Sequence, residues 1–195
     1  AGRDYYQTIL KTLREAGHYQ PGAPGRPVTD GAPRYYVFVY DWRQDAVTNV
    51  RKLDRLIRQI QADYRDAELK VDLIAHSMGG LIARYYLRYG TDDVLDSNDF
   101  PLNYSGANNV RRVLLLGTPN LGSVVAFHNI LAGFQVGLQR IPPEVLATLP
   151  GAYQLLPHPL NDWLITSRGT TLERDLFDID VWRRFEWSIF HPSVR

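Results

Sequence analysis

Val71-Asp72-Leu73-Ile74-Ala75-His76-Ser77-Met78-Gly79-Gly80-Leu81-Ile82-Ala83-Arg84-Tyr85-Tyr86-Leu87-Arg88-Tyr89 decides how the remaining sequence folds around it. The first residues form a strand-length apolar run, and those from Gly80 to Tyr89 have helical character. Between them lies a serine flanked by small residues, the strand, tight turn and helix of a nucleophile elbow. Such a turn drives Ser77 toward positive φ and brings positions 75 and 79 together, so both must be small. Gly79 meets the condition fully. Ala75 stands where glycine is commoner, and its methyl is the next smallest group. The Met78 N–H lies in the first helical turn, where amides have no intrahelical partner. With the helix dipole behind it, that amide is placed to donate to an oxyanion. Ser77 is thus the candidate nucleophile and Met78 the candidate backbone donor. Side chains of neighbours diverge on so sharp a turn, which gives His76 a supporting role rather than that of general base.

Upstream, Tyr35 to Tyr40 is almost wholly aromatic and β-branched and predicts a buried strand of the parallel type. Asp45 is the expected N-cap of the next helix, whose Val50, Leu53, Leu56, Ile57, Ile60 and Tyr64 form one stripe. Before these, apolar residues from Tyr5 to Leu13 recur at helical spacing, predicting an amphipathic helix packed on the sheet and ending near Gly17. The prolines and glycines from Pro21 to Pro33 predict an irregular loop. Downstream, Gly90 is the expected C-cap of the elbow helix. Val110–Leu116 predicts another strand, ending in Gly117-Thr118-Pro119.

Strands alternating with amphipathic helices predict an α/β fold with a doubly wound, mostly parallel sheet. Sites in such sheets lie beyond the strand carboxyl ends. Ser77, the Asp41-Trp42-Arg43 corner and the loop from Thr118 should therefore converge. We expect residues 1–150 to form a partial α/β core and residues 151–195 a cap or excursion of the same domain. In that last stretch Trp163, Trp182, Phe185, Trp187 and Phe190 stand among prolines and charges.

With 195 residues, 45% hydrophobic and 22% charged, the chain can bury one core and has the composition of a soluble globular domain. A formal charge of +1 gives no electrostatic reason to expect nucleic acid. The absence of cysteine excludes disulfides, thiolate metal sites and cysteine nucleophiles, and leaves the compartment open. No signal-peptide pattern is present. The acids Asp92, Asp93, Asp96 and Asp99 lack the mid-loop glycine and closing glutamate of a calcium loop, so a solvated loop is expected, with no metal and no cofactor.

Val113 to Gln139 contains no Asp, Glu, Lys or Arg, yet Pro119, Asn120, His128, Asn129 and several glycines interrupt it, which argues against a transmembrane span. Two readings stay open. One is a buried helix plus loop; the other is an acyl-chain wall or interfacial lid beside the nucleophile, with Leu121 and Phe127 touching substrate and a membrane surface nearby. Pro142–Leu149 predicts a short helix with prolines at its start.

Tyr40-Asp41-Trp42-Arg43, Ala75-His76-Ser77-Met78-Gly79-Gly80-Leu81, Gly117-Thr118-Pro119-Asn120-Leu121-Gly122-Ser123 and Tyr153-Gln154-Leu155-Leu156-Pro157 together resemble the lecithin:cholesterol acyltransferase-like branch of the α/β-hydrolases. The resemblance covers most of residues 5–160. It implies a Ser-Asp-His triad in that chain order, acting on acyl esters, of lipids above all, by hydrolysis or transfer. Ser77 carries over directly. The family's acid and histidine have no matching stretch after Ser77, and the strand and loop supplying its second oxyanion donor are not found. The expectation is a fragment lacking both ends, inactive alone, with the triad Asp and His outside it. In-chain substitutes are His128, His158 and His191 with Asp162, Asp175, Asp178 and Asp180, but a triad partner should follow a strand end and no convincing strand follows Leu116. The rival expectation is a catalytically inactive hydrolase fold serving as an interaction module.

Overall fold

The computed structural model describes residues 6–97, 99–160, 164–172 and 174–192. Tyr5, Asp162 and Trp163 lie outside them. Helix α1 spans Gln7–Glu15, followed by short strands β1 (Gln20–Pro21) and β2 (Arg34–Tyr35). Next come helix α2 (Ala46–Tyr64), strand β3 (Val71–His76), helix α3 (Met78–Tyr89) and strand β4 (Val110–Leu116).

The Asp45 carboxylate starts α2 by accepting from the Thr48 N–H at 2.6 Å, as expected of an N-cap. Val50, Leu53 and Ile57 from one face of α2 pack with Ile82 and Tyr86 of α3 and with Val110 at the start of β4. Leu73 and Val113 close this core from below. Each such aliphatic side chain contributes about 1.5–3 kcal/mol when fully withdrawn from water. Tyr86 carries a polar tip into the same core: its hydroxyl donates to Asp54 at 2.8 Å and accepts from Asn109 Nδ2 at 3.0 Å. Burial, aided by the Asp54 carboxylate, pushes the Tyr86 phenol pKa well up. β3 and β4 pair in parallel from Val71↔Val110 to His76↔Leu116, with one register shift after Val71.

Residues 35–40 depart from the expected buried strand. Only Arg34–Tyr35 pair, with Gln20–Pro21, across the two ends of the loop that the prolines had predicted to be irregular. Phe38 and Tyr40 turn into the core, whereas Val37 and Val39 are 62% and 82% exposed. Apolar character on both sides had predicted burial on both; the chain buries one. α1 also departs, because none of its residues is fully buried, though Ile9, Leu10 and Leu13 are half-covered. Its apolar stripe is therefore only partly used.

The charge-free run forms helix α4 (Val124–Ala132) and then enters a hairpin, β5 (Phe134–Val136) with β6 (Gln139–Ile141), that the sequence had not predicted. Gly137, at φ 59°, supplies the turn, and Leu138 stands fully exposed at its tip. Helices α5 (Pro143–Leu146), α6 (Pro150–Tyr153) and α7 (Ile179–Arg184) follow, and a 3₁₀ helix, Ser105–Asn109, leads into β4. Phe127 and Ile130 of α4 make a second core with Ala152, Leu156, Leu176 and Trp182, drawing on both sides of residue 150. Among the described residues no helix is long and apolar enough to cross a membrane.

Candidate active site around Ser77

Ser77 has φ 53° and ψ −130°, an L-residue held in a backbone region that side chains resist, between the last residue of β3 and the first of α3. Two hydrogen bonds hold it there. Its N–H donates to Leu116 O at 2.9 Å, tying the turn to the end of β4, and its carbonyl accepts from Gly80 N–H at 3.0 Å. The strain is thus held by the parallel ladder on one side and the first turn of α3 on the other.

The amides of that first turn are not equivalent. Gly80 donates to Ser77, and Gly79 lies against the Tyr40 phenol. Burial raises the Tyr40 pKa while the Gly79 contact pulls it the other way. The Met78 N–H has no protein acceptor among the described residues. Met78's side chain is buried, which fixes the peptide carrying that amide.

Three stretches distant in sequence hold this turn in place. A Cβ at Gly80 would collide with the Thr118 side chain, so the loop after β4 can lie directly on α3 only because position 80 is glycine. The Thr118 hydroxyl is buried there with no protein partner. A Cβ at Gly151 would likewise strike the Trp42 carbonyl, and Gly151 N–H donates to Arg43 O at 3.2 Å. Gln154 Oε1 accepts from Ala46 N–H at 2.9 Å, joining the start of α2 to the same segment. Ser123 N–H donates to Leu155 O at 2.8 Å, and His158 N–H to Leu121 O at 2.9 Å. Tyr40–Arg43, the Ser77 turn, the 117–123 loop and residues 151–158 therefore form one hydrogen-bonded cluster beyond the ends of β3 and β4. Asp41 orders its corner as expected of a loop-fixing residue. Its carboxylate grips Arg43 at 2.8 Å, and the guanidinium holds its pKa down at about 2.

Of the two candidates for substrate contact, Leu121 lies on a loop of this cluster and Phe127 lies apart from it. Phe127 is only 7% exposed, edge-on to Trp182 and Trp187, whereas Leu121 is 47% exposed on the loop after β4. The sharper reading of the charge-free run gave both a place beside substrate; Phe127 occupies a core instead. His76 sits edge-on to Tyr6. His128 is exposed on α4, and His191 is exposed beyond the 3₁₀ turn Ser188–Phe190. Asp175 and Asp178 accept from the Phe177 and Asp180 amides, and Asp180 pairs with Arg183, so these carboxylates serve local turns. Among the described residues no hydrogen bond links a histidine to Ser77.

The sequence had placed the loop from Thr118 beside Ser77 but had given Tyr40, Gln154 and the Thr118 side chain no part in holding the turn. Their signal was present, since each is a polar residue inside one of the four motif stretches.

Residues 4–163 match the lecithin:cholesterol acyltransferase family. The chain belongs to that family. As a member of the lecithin:cholesterol acyltransferase family it has an α/β-hydrolase type of fold and belongs with proteins of acyltransferase and lipase type that act on lipids. The matched span contains all four stretches of the cluster around Ser77. No curated protein compared with the chain matches it.

Proposed function

We propose that the chain carries the nucleophile-bearing core of a serine esterase or O-acyltransferase acting on lipid acyl esters. Ser77 Oγ attacks the ester carbonyl carbon, passing its proton to a general base. The tetrahedral oxyanion takes a hydrogen bond from the Met78 N–H, and collapse expels the alcohol with a proton returned from the base. Water hydrolyses the acyl-enzyme, or an acceptor alcohol takes the acyl group. One such donor supplies roughly 10²–10³ in rate. The observation that carries the proposal is the positive φ of Ser77 at a strand-to-helix reversal, beside an uncommitted first-turn amide.

The doubly wound sheet belongs to the same proposal. Residues 36–40 share the core of β3 and β4, and the outward Val37, Val39, Ile74 and Leu114 give those segments an apolar second face. Residues 151–195 serve as the cap, anchored to α4 through the second core, with Leu121 and the exposed Val124, Val125 and Leu138 facing substrate or a lipid surface. No described histidine is hydrogen-bonded to Ser77, and in this reading the triad acid and base are supplied from outside the described residues.

A fluorophosphonate probe tests the reading: the full protein should be labelled, and Ser77→Ala should abolish both labelling and ester hydrolysis. Undiminished labelling of the variant refutes Ser77. The lack of a histidine bonded to Ser77 favours one rival, a non-catalytic hydrolase-fold module; it predicts no labelling of the wild-type protein at all.

A further inference from the structure

Helix α1 meets the Ser77 turn through the residue that precedes it. Tyr6 lies edge-on to His76, with ring centroids 5.8 Å apart, and its hydroxyl stands 3.5 Å from His76 Nδ1. The same phenol reaches toward Tyr40: burial raises the Tyr40 pKa, and Tyr6 adds to the rise. The Tyr40 ring in turn lies against Gly79. Tyr6 therefore has neighbours on both sides of Ser77 in the chain, His76 one residue before it and, by way of Tyr40, Gly79 two residues after. The reversal at Ser77 draws those two sides together, which puts the phenol at the rim of the turn. Ile9, Leu10 and Leu13 are half-covered and seat α1 with its first residues at the carboxyl end of β3. The partly used apolar stripe of α1 thus serves to present Tyr6.

The Tyr6 hydroxyl is only weakly committed where it stands. A separation of 3.5 Å is at the outer limit of a hydrogen bond, and the residue is 55% exposed. Exposed side chains change rotamer within nanoseconds, so little holds the phenol against a better acceptor. An oxyanion is such an acceptor, because hydrogen bonds to charged oxygen are shorter and roughly twice as strong as neutral ones. The Met78 N–H gives the oxyanion one donor, and a tetrahedral oxyanion has lone pairs for another.

We infer that Tyr6 is a catalytic residue of the Ser77 site, its hydroxyl giving the oxyanion a second hydrogen bond alongside that of the Met78 N–H. The phenol keeps its proton throughout, and no covalent bond forms or breaks at it. The inference rests on the reading of Ser77 as nucleophile.

Tyr6→Phe tests it, since the variant keeps the edge-on ring against His76 and removes only the hydroxyl. The full-length protein is assayed on p-nitrophenyl butyrate and on the corresponding thionoester. With the oxygen ester, kcat should fall on the order of a hundredfold while KM stays within about twofold, because the bond is made in the transition state alone. Sulfur is the weaker acceptor, so the wild-type preference for the oxygen ester should shrink in the variant. The thermal midpoint should not move, as the ring faces solvent. An unchanged kcat, or a change in KM alone, overturns the role. So does a lower kcat with the preference for oxygen over sulfur intact, which is what loss of packing or positioning gives. Fluorophosphonate labelling separates the two readings: Ser77-dependent labelling with unaltered Tyr6→Phe kinetics removes Tyr6 alone, and an unlabelled wild-type protein removes Ser77 and Tyr6 together.

Discussion

β3 and residues 36–40 are similar in sequence and unlike in structure. Both are short apolar runs that end where the candidate site begins, the first at Ser77 and the second at Asp41. β3 is bonded to β4 along its length, while residues 36–40, which cover alternate side chains just as β3 does, have no ladder partner among the described residues. Apolar composition thus fixes which side chains seek a core, but a strand also needs a neighbour for its amides. The turn at Ser77 inherits its rigidity from that neighbour, through the bond from its N–H to Leu116. The Asp41 corner has no such ladder and combines single backbone bonds, Gln44 N–H to Asp41 O and Gly151 N–H to Arg43 O, with side chains, namely Arg43 and the Asn49 amide that donates to Asp41 O at 2.9 Å.

The largest expected effect is in hydrogen exchange. Amides of 72–76 should exchange on the order of a thousandfold more slowly than those of 37–40, since the first open only with the core and the second are not held in a ladder. Equal protection would mean that 36–40 finds a strand partner in solution, and the comparison would break. Mutation sharpens it on the scale of packing. Phe38→Ala should destabilise by about 2 kcal/mol because it empties space against α2 and α3. Val39→Ser, one residue away on the exposed side, should stay within about 0.5 kcal/mol. Denaturant midpoints at constant slope measure both.

A third substitution bears on the better-ordered partner. Gly80→Val should cost about 3 kcal/mol or prevent folding, because its side chain enters the space of Thr118. Thr118→Ala in the same background should recover part of the loss. Without such recovery, the loop after β4 is not what requires a glycine there.

These contrasts also explain what was legible in the residues. The helix stripe after Asp45, β3, the reversal at Ser77 and β4 could all be read, because each follows from local periodicity, a cap or a small-residue turn. Pairing of Gln20–Pro21 with Arg34–Tyr35 was hidden, since a proline-rich composition masks a two-residue ladder whose partner is distant in sequence. The second core was hidden for another reason. Phe127 and Trp182 are far apart in the chain, and an uncharged helix carries no polar face to show which side turns inward. Convergence of the motif stretches was predicted from strand ends; the atoms that lock them, Thr118 on α3 and Gln154 on Ala46, depend on tertiary approach that no local pattern encodes.

The smallest expected effect concerns the corner that closes residues 36–40. Arg43 approaches Asp41 in two ways, through its guanidinium at 2.8 Å and through its backbone N–H at 3.1 Å, and both favour the charged carboxylate. The folded-state pKa is depressed to about 2 from an ordinary 3.8. A depressed carboxylate favours the fold above its ordinary value and loses that contribution as pH falls through the folded value, so the window runs from 3.8 down to about 2. Both groups face solvent, so the effect on unfolding is small and screened by salt. Carboxyl NMR resolves it directly. The Asp41 midpoint should lie near 2 in the native protein and rise toward 3.8 in Arg43→Gln, which keeps the backbone N–H and removes the guanidinium. A midpoint unmoved by that change would assign the corner's order to backbone bonds alone, making it more like the turn at Ser77 than the contrast with β3 allows.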